Sequence, residues 1–292
     1  MNKRTRAELF LLLITLVWGS TFVVTKFVLR DAGPFLYTSI RFLVATLIFG
    51  VVFFPRLRTI GKESAKKGAI LGFLLFIGFA TQTVGLLYTT ASKSAFITGM
   101  MVVFTPICQL VIERRPPKFG NLFGIALILA GLYFLTSPAG SHFTLGDGLT
   151  LICALSFAFY IVCLDMFSQN CDPYHLTFMQ FSVTAGLAGL SFFFFEGFHL
   201  VLNLEFTFGV LYLAIFATVI ALFVQARFQK DTTPTRSAVV FSVEPVIAAV
   251  VAYLVLGERL GEYGILGGGL IMAGVAVSEF SDSLFKSFGI SG

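Results

Sequence analysis

The 292 residues are 57% hydrophobic and 12% charged, with 36 Phe and a formal net charge of +5. A soluble domain carries about 25% charged residues, so no water-facing shell can be built from this chain. That excludes a soluble catalytic or nucleic-acid-binding domain and specifies an all-α integral membrane protein, whose net charge reports topology rather than a nucleic-acid footprint.

A helix crossing the hydrocarbon needs about 20 apolar residues. Apolar runs and their breaks predict ten such spans, at 8–29, 35–54, 67–88, 92–112, 119–136, 146–167, 174–195, 207–228, 235–256 and 263–280. Turn and charge signals separate them, among them Arg30-Asp31-Ala32-Gly33-Pro34, the basic stretch Arg56 to Lys67, Glu113 to Lys118, and Gly257 to Gly261. The first span follows Lys3, Arg4 and Arg6 but is too long for a signal-peptide core and has no small-x-small cleavage pattern, so it is kept as a membrane span.

With the N-terminus inside, fifteen Lys and Arg fall on inner segments and three, Arg30, Lys93 and Arg259, on outer loops. Basic residues are retained on the cytoplasmic side, so both termini are expected to be cytoplasmic, in a bacterial cytoplasmic (inner) membrane. The loop near Asp172 should also lie inside, although it carries no Lys or Arg.

The chain repeats itself. On a shift of 143 residues, Ser92–Gly131 aligns without gaps to Thr235–Gly274, with eight of 40 positions identical and Lys93 falling on Arg236. On a shift of 139, Pro34-Phe35, Thr38 and Phe42 meet Pro173-Tyr174, Thr177 and Phe181. The units are 1–136 and 146–280, followed by a short cytoplasmic tail at 281–292. Five spans is an odd number, so the second unit enters the membrane from the opposite side. Inverted repeats are a device for alternating access, with the substrate site near the midplane between them.

Ionisable groups inside a bilayer are costly and normally face protein or a hydrated cavity. Glu244 lies mid-way along span nine, and Pro245 after it removes a backbone hydrogen bond. Two readings are open: a substrate or proton-coupling site in a broken helix, or a protonated residue supporting a kink. Its repeat counterpart is Met101. Lys26 and Arg41, towards the outer ends of spans one and two, either snorkel to the interface or provide a cationic lining for an anionic group. Lys93 and Arg236 begin spans four and nine on opposite faces, as gate or entrance charges or as helix-end anchors.

Trp18, the only Trp, lies mid-span beside Gly19, Ser20 and Thr21, which suits a cavity wall, although interfacial belts are the commoner home for Trp. Gln82, Tyr160, Gln180 and Gln225 each need a partner away from lipid. Met100, Met101 and Phe104 give span four a soft face, for packing or for a pocket. The glycine-rich spans five and ten read as packing helices or an oligomer surface, which leaves room for a homodimer. The four Cys and three His show no ligand spacing, so no metal is expected, and no motif calls for a cofactor.

Three sets of residues resemble EamA-type transporters of the drug/metabolite transporter superfamily: Trp18-Gly19-Ser20-Thr21-Phe22; Tyr88 through Phe96 (YTTASKSAF); and Glu244-Pro245 followed by Leu256-Gly257-Glu258-Arg259. The resemblance covers essentially the whole chain as two EamA repeats. It implies ten helices, cytoplasmic termini and a cavity bounded by helices one, three, four, six, eight and nine. It also implies export of amino acids, related metabolites or drugs. Carried onto this chain, it assigns Trp18, Thr21, Gln82, Met101, Phe104, Tyr160 and Glu244 to substrate binding. The expected function is secondary transport of a small metabolite across the bilayer, with proton coupling at Glu244. The alternative is a lipid or polyprenyl-phosphate flippase. An intramembrane enzyme is not expected, since H-E-x-x-H, G-x-S-x-G and paired intramembrane aspartates are all absent. No phosphate-binding G-x-x-x-x-G-K-[ST] motif occurs either, so the driving force must be an ion or solute gradient.

Overall fold

A computed structural model describes residues 2–114, 119–136, 143–257 and 262–287. The first repeat comprises α1 (Lys3–Val28), α2 (Pro34–Val52), α3 (Lys62–Gly85), α4 (Ala91–Gly99 and Met101–Glu113) and α5 (Phe119–Thr136). The second comprises α6 (Leu145–Ser168), α7 (Pro173–Phe195), α8 (Leu204–Asp231), α9 (Pro234–Phe241 and Glu244–Leu256) and α10 (Glu262–Ser287). Eight are long and apolar enough to cross a bilayer, and α5 and α10 contribute shorter apolar segments, Asn121–Phe134 and Ile265–Ser278. The protein is a multi-pass integral membrane protein of two inverted five-helix repeats.

Local chemistry sets the helix starts. Proline occupies the first turn of α2, α7 and α9, where a missing N–H costs nothing. Thr90 and Thr233 cap α4 and α9, accepting from the backbone N–H of Lys93 and Arg236 at 3.1 and 3.3 Å. Helix α3 begins at Lys62, five residues before the apolar run at 67. A Lys67–Glu63 pair at 2.5 Å, spaced i,i+4, lets the helix run on past the hydrocarbon.

The helices interleave between repeats. α3 packs on α6 and α7, α2 on α7, α4 on α6, and α1 on α8 and α9. α5 and α10 pack mainly against each other and touch the rest of the bundle through Ile125, Ile128, Leu132 and Ile271. Gly124, Gly131 and Gly274 are spent on that contact. A Cβ on Gly131 would lie 2.6 Å from the Gly267 carbonyl oxygen and 2.7 Å from the Ile271 nitrogen, and one on Gly274 would lie 2.7 Å from the Gly124 carbonyl oxygen. Those are backbone atoms, which cannot step aside as a flexible side chain would. Gly131→Val is therefore expected to cost about 1–3 kcal/mol of stability by forcing the helices apart. Gly269→Ala, with nothing within 4 Å of the added carbon, should be neutral. Denaturant titration in detergent compares the two, and equal stabilities would contradict this packing.

Helices α4 and α9 break at matching positions of the repeat, at Met100 and at Ser242–Val243. In α9 the cause is Pro245, which cannot donate to the carbonyl of Phe241. Ser242 donates its hydroxyl to the carbonyl of Val239 and relieves the same stretch. In α4 the residue matching Pro245 is Val102. The break there coincides with a close approach, since a Cβ on Gly99 would stand 3.0 Å from Cγ of Pro245.

Candidate functional site

A cavity of about 500 Å³, its mouth included, opens between the two repeats. Trp18 and Thr21 reach it from α1, Arg41 from α2, Leu75, Phe79 and Gln82 from α3, and Met101 from α4 just past its break. Phe157, Tyr160 and Ile161 come from α6, Leu222 and Gln225 from α8, and Phe241 and Glu244 from the two sides of the α9 break.

Arg41 is 3% exposed, and its side chain turns inward rather than towards the membrane surface. Nε donates to Thr218 Oγ1 at 2.7 Å, and a terminal nitrogen donates to the Tyr37 hydroxyl at 3.2 Å. The guanidinium stands 4.7 Å from the centre of the Phe79 ring, in cation–π range. Thr218 sits in a π-helical turn of α8, Ile215–Ile220, and donates to the Leu213 carbonyl at 2.8 Å. That turn carries a second anchor. The Trp18 indole N–H donates to the Ala217 carbonyl at 3.0 Å, and the ring meets Phe241 edge-on at 5.3 Å. One widened turn thus fixes both the cation and the indole, as π-bulges at functional sites often do.

Glu244 opens the second half of α9 and is 8% exposed. Its carboxylate makes no hydrogen bond or ion pair with any described residue, and neither does Arg41 find a carboxylate. Between them lie polar groups already partly satisfied. Gln82 donates to Thr98 at 3.2 Å, Tyr160 to Gln180 at 3.1 Å, and Gln225 to Gln229 at 2.8 Å, which leaves the Gln225 side-chain oxygen without a partner. The remaining wall is apolar and largely aromatic. The site therefore presents a buried guanidinium and a buried acidic side chain on an otherwise largely apolar lining.

Of the residues singled out from the sequence, Trp18, Thr21, Gln82, Met101, Tyr160, Glu244 and Arg41 come together here. Phe104, partly buried against the hydrophobic core, is not among the residues lining the cavity. Lys26 lies in the last turn of α1, off the cavity. Lys93 and Arg236 also lie off it and form ion pairs with Asp147 and Glu8. The motif residues Glu258 and Arg259 lie outside the described residues. Leu75, Phe79, Ile161, Leu222 and Phe241 gave no sequence signal, whereas Phe157 falls on Trp18 under the repeat shift of 139. Gln225 gave one, as an amide within an apolar span. Helix α2 joins the expected bounding helices because the Arg41 side chain is long enough to reach in.

The fold and site have relatives. A family model described as the EamA-like transporter family matches residues 5–137 and again 144–280. An uncharacterized transporter of Archaeoglobus fulgidus is 34% identical over 275 residues, covering 94% of this chain and 86% of that protein. A "Probable amino-acid metabolite efflux pump" of Escherichia coli is 27% identical, with 92% and 93% of the two chains covered. A solved crystal structure, 18% identical, shares the fold with a TM-score of 0.79 over 94% of this chain and 96% of that one. This chain belongs to the EamA-like transporter family, within the drug/metabolite transporter superfamily, and is a transporter rather than an enzyme.

Proposed function

We propose that the protein exports small zwitterionic metabolites, amino acids and their relatives, by alternating access through the cavity between the repeats. The observation that carries this is the placing of a cation and an acid, Arg41 and Glu244, each buried on the cavity wall with no ionic partner among the described residues. A buried charge left without a counter-ion is expensive, so a ligand that supplies the missing partner is strongly favoured. The substrate carboxylate would take the guanidinium, its ammonium would take Glu244, and its side chain would lie among Trp18, Phe79, Phe157 and Phe241. A proton competes with the ammonium for Glu244, so the two occupy the carboxylate in turn and exchange in opposite directions. Outward transport agrees with the name of the Escherichia coli relative, an efflux pump. The bias of basic residues supports a cell membrane with both termini cytoplasmic. The contact face of a homodimer would have to be lipid-facing, since Gly124, Gly131 and Gly274 already lie in the contact between α5 and α10.

A thermal-shift series on the purified protein tests the substrate class. Amino acids at about 100 times Kd should stabilise the folded state by about 2.7 kcal/mol. Stabilisation by sugar phosphates or nucleotides alone would retire the zwitterion. Scrambling of labelled phospholipid in vesicles, without amino-acid binding, would favour the flippase.

A further inference from the structure

Two ion pairs stand outside the cavity, one near each end of the bundle, and they are built alike. In one, Lys93 Nζ lies 2.6 Å from Asp147 Oδ2, and Thr89 donates to Oδ1 at 2.8 Å. In the other, Arg236 lies 3.4 Å from Glu8 Oε1, Thr232 donates to the same oxygen at 3.2 Å, and Arg4, one turn earlier on α1, also pairs with it at 3.0 Å, a contact the first pair lacks. The shift of 143 that places Lys93 on Arg236 also places Thr89 on Thr232 and the capping Thr90 on Thr233. The shift of 139 that relates α1 to α6 places Glu8 on Asp147. Cation, threonine donor, helix cap and acid all recur, with the acid always supplied by the other repeat. One member of each pair is buried, Asp147 and Arg236, while Lys93 and Glu8 are partly exposed, so the pairs are only partly shielded from the screening that weakens surface pairs.

We propose that these are twin latches, one per membrane face. Each ties the start of helix four of one repeat to the start of helix one of the other, and transport opens one latch while its twin holds. The inference rests on the alternating-access reading. α4 and α9 carry both the latch cations and, past their breaks, the cavity residues Met101 and Glu244, so a single tilt of either segment connects the rim to the site. Both latches are closed in this structure.

Opposite responses of the two latches decide the matter. In a background with the four native Cys replaced, a reporter Leu75→Cys on the cavity wall is labelled with a membrane-impermeant maleimide from each side of oriented vesicles. Asp147→Asn should raise labelling from the face carrying Asp147, relative to the other face, about fivefold or more. Glu8→Gln should do the reverse by a similar factor, the low end of ordinary conformational coupling. Asp147 also caps α6 with Thr144, so Lys93→Met and Arg236→Met serve as second variants that leave the acids in place. If the cation variants fail to move labelling in the same direction as their acid partners, the effect is capping, and the latch is wrong. Shifts towards the same face, or none, overturn it as well. A wild-type reporter that reacts from neither face, with or without amino acid, would instead sink alternating access itself.

Discussion

Arg41→Gln is expected to erase the preference for a free carboxylate. The wild-type protein should bind an amino acid about 100-fold more tightly than the corresponding amide, and the variant should bind the two about equally. The size follows from truncating one partner of a buried, hydrogen-bonded charge pair, which costs about 2–5 kcal/mol, where each 1.4 kcal/mol is a factor of ten. The ratio between two ligands on one variant matters more than either affinity, because loss of the bonds to Thr218 and Tyr37 also loosens the fold. That loosening affects both ligands alike and cancels. Arg41→Lys should recover only part of the ratio. An ammonium keeps the charge but cannot span Thr218 on one side and Tyr37 on another while lying over the Phe79 ring. Isothermal titration in detergent measures all six affinities. A folded Arg41→Gln protein that still discriminates 100-fold would remove the guanidinium from the site.

The membrane architecture was open to sequence reasoning because burial in lipid writes itself in one dimension. Apolar runs, the prolines at 34 and 173 and the repeated Ser-Ala at 94 and 237 are visible without contacts. The break in α9 could be expected from Pro245. The matching break at Met100 could not, since Val102 stands where a proline would announce it, and the close approach of Pro245 to Gly99 that accompanies it comes from a neighbouring helix. The cavity wall was legible only where it is polar. Gln82, Tyr160 and Glu244 stand out in apolar helices, whereas a Phe has the same character facing lipid, core or cavity. Phe79 therefore went unremarked, while Phe104, three residues past Met101, is not among the residues lining the cavity. Arg41 was ambiguous because a long cationic side chain near a helix end can reach outward as easily as inward. What turns it inward is the π-turn at Ile215–Ile220, a feature of α8 with no residue signature of its own.

Glu244→Gln is expected to abolish uptake driven by a pH gradient in proteoliposomes while leaving the protein folded. The glutamine is nearly isosteric and can still sit at the head of the second α9 segment beside Pro245, so the kink survives. What it cannot do is alternate between a negative and a neutral form. The other ionisable groups near it are Arg41 and Tyr160 on the cavity wall and the Cys153 thiol on α6. Arginine keeps its charge throughout, and tyrosine and cysteine ordinarily release protons only above neutrality, so none replaces the carboxylate as a carrier near pH 7. Proton-driven flux should fall by at least about 100-fold, the scale of a lost charge-assisted contact in a dry site. The same change should flatten the preference for a free ammonium over its N-acetylated form, because a neutral amide no longer attracts the cation. These two losses separate the readings of the residue. A Glu244 that merely supported the kink would give a glutamine variant with intact pH-driven uptake and intact amine selectivity, and one that only bound substrate would lose selectivity but keep its coupling. Loss of both, in a protein whose thermal stability is unchanged, is the result that one carboxylate shared between proton and substrate requires.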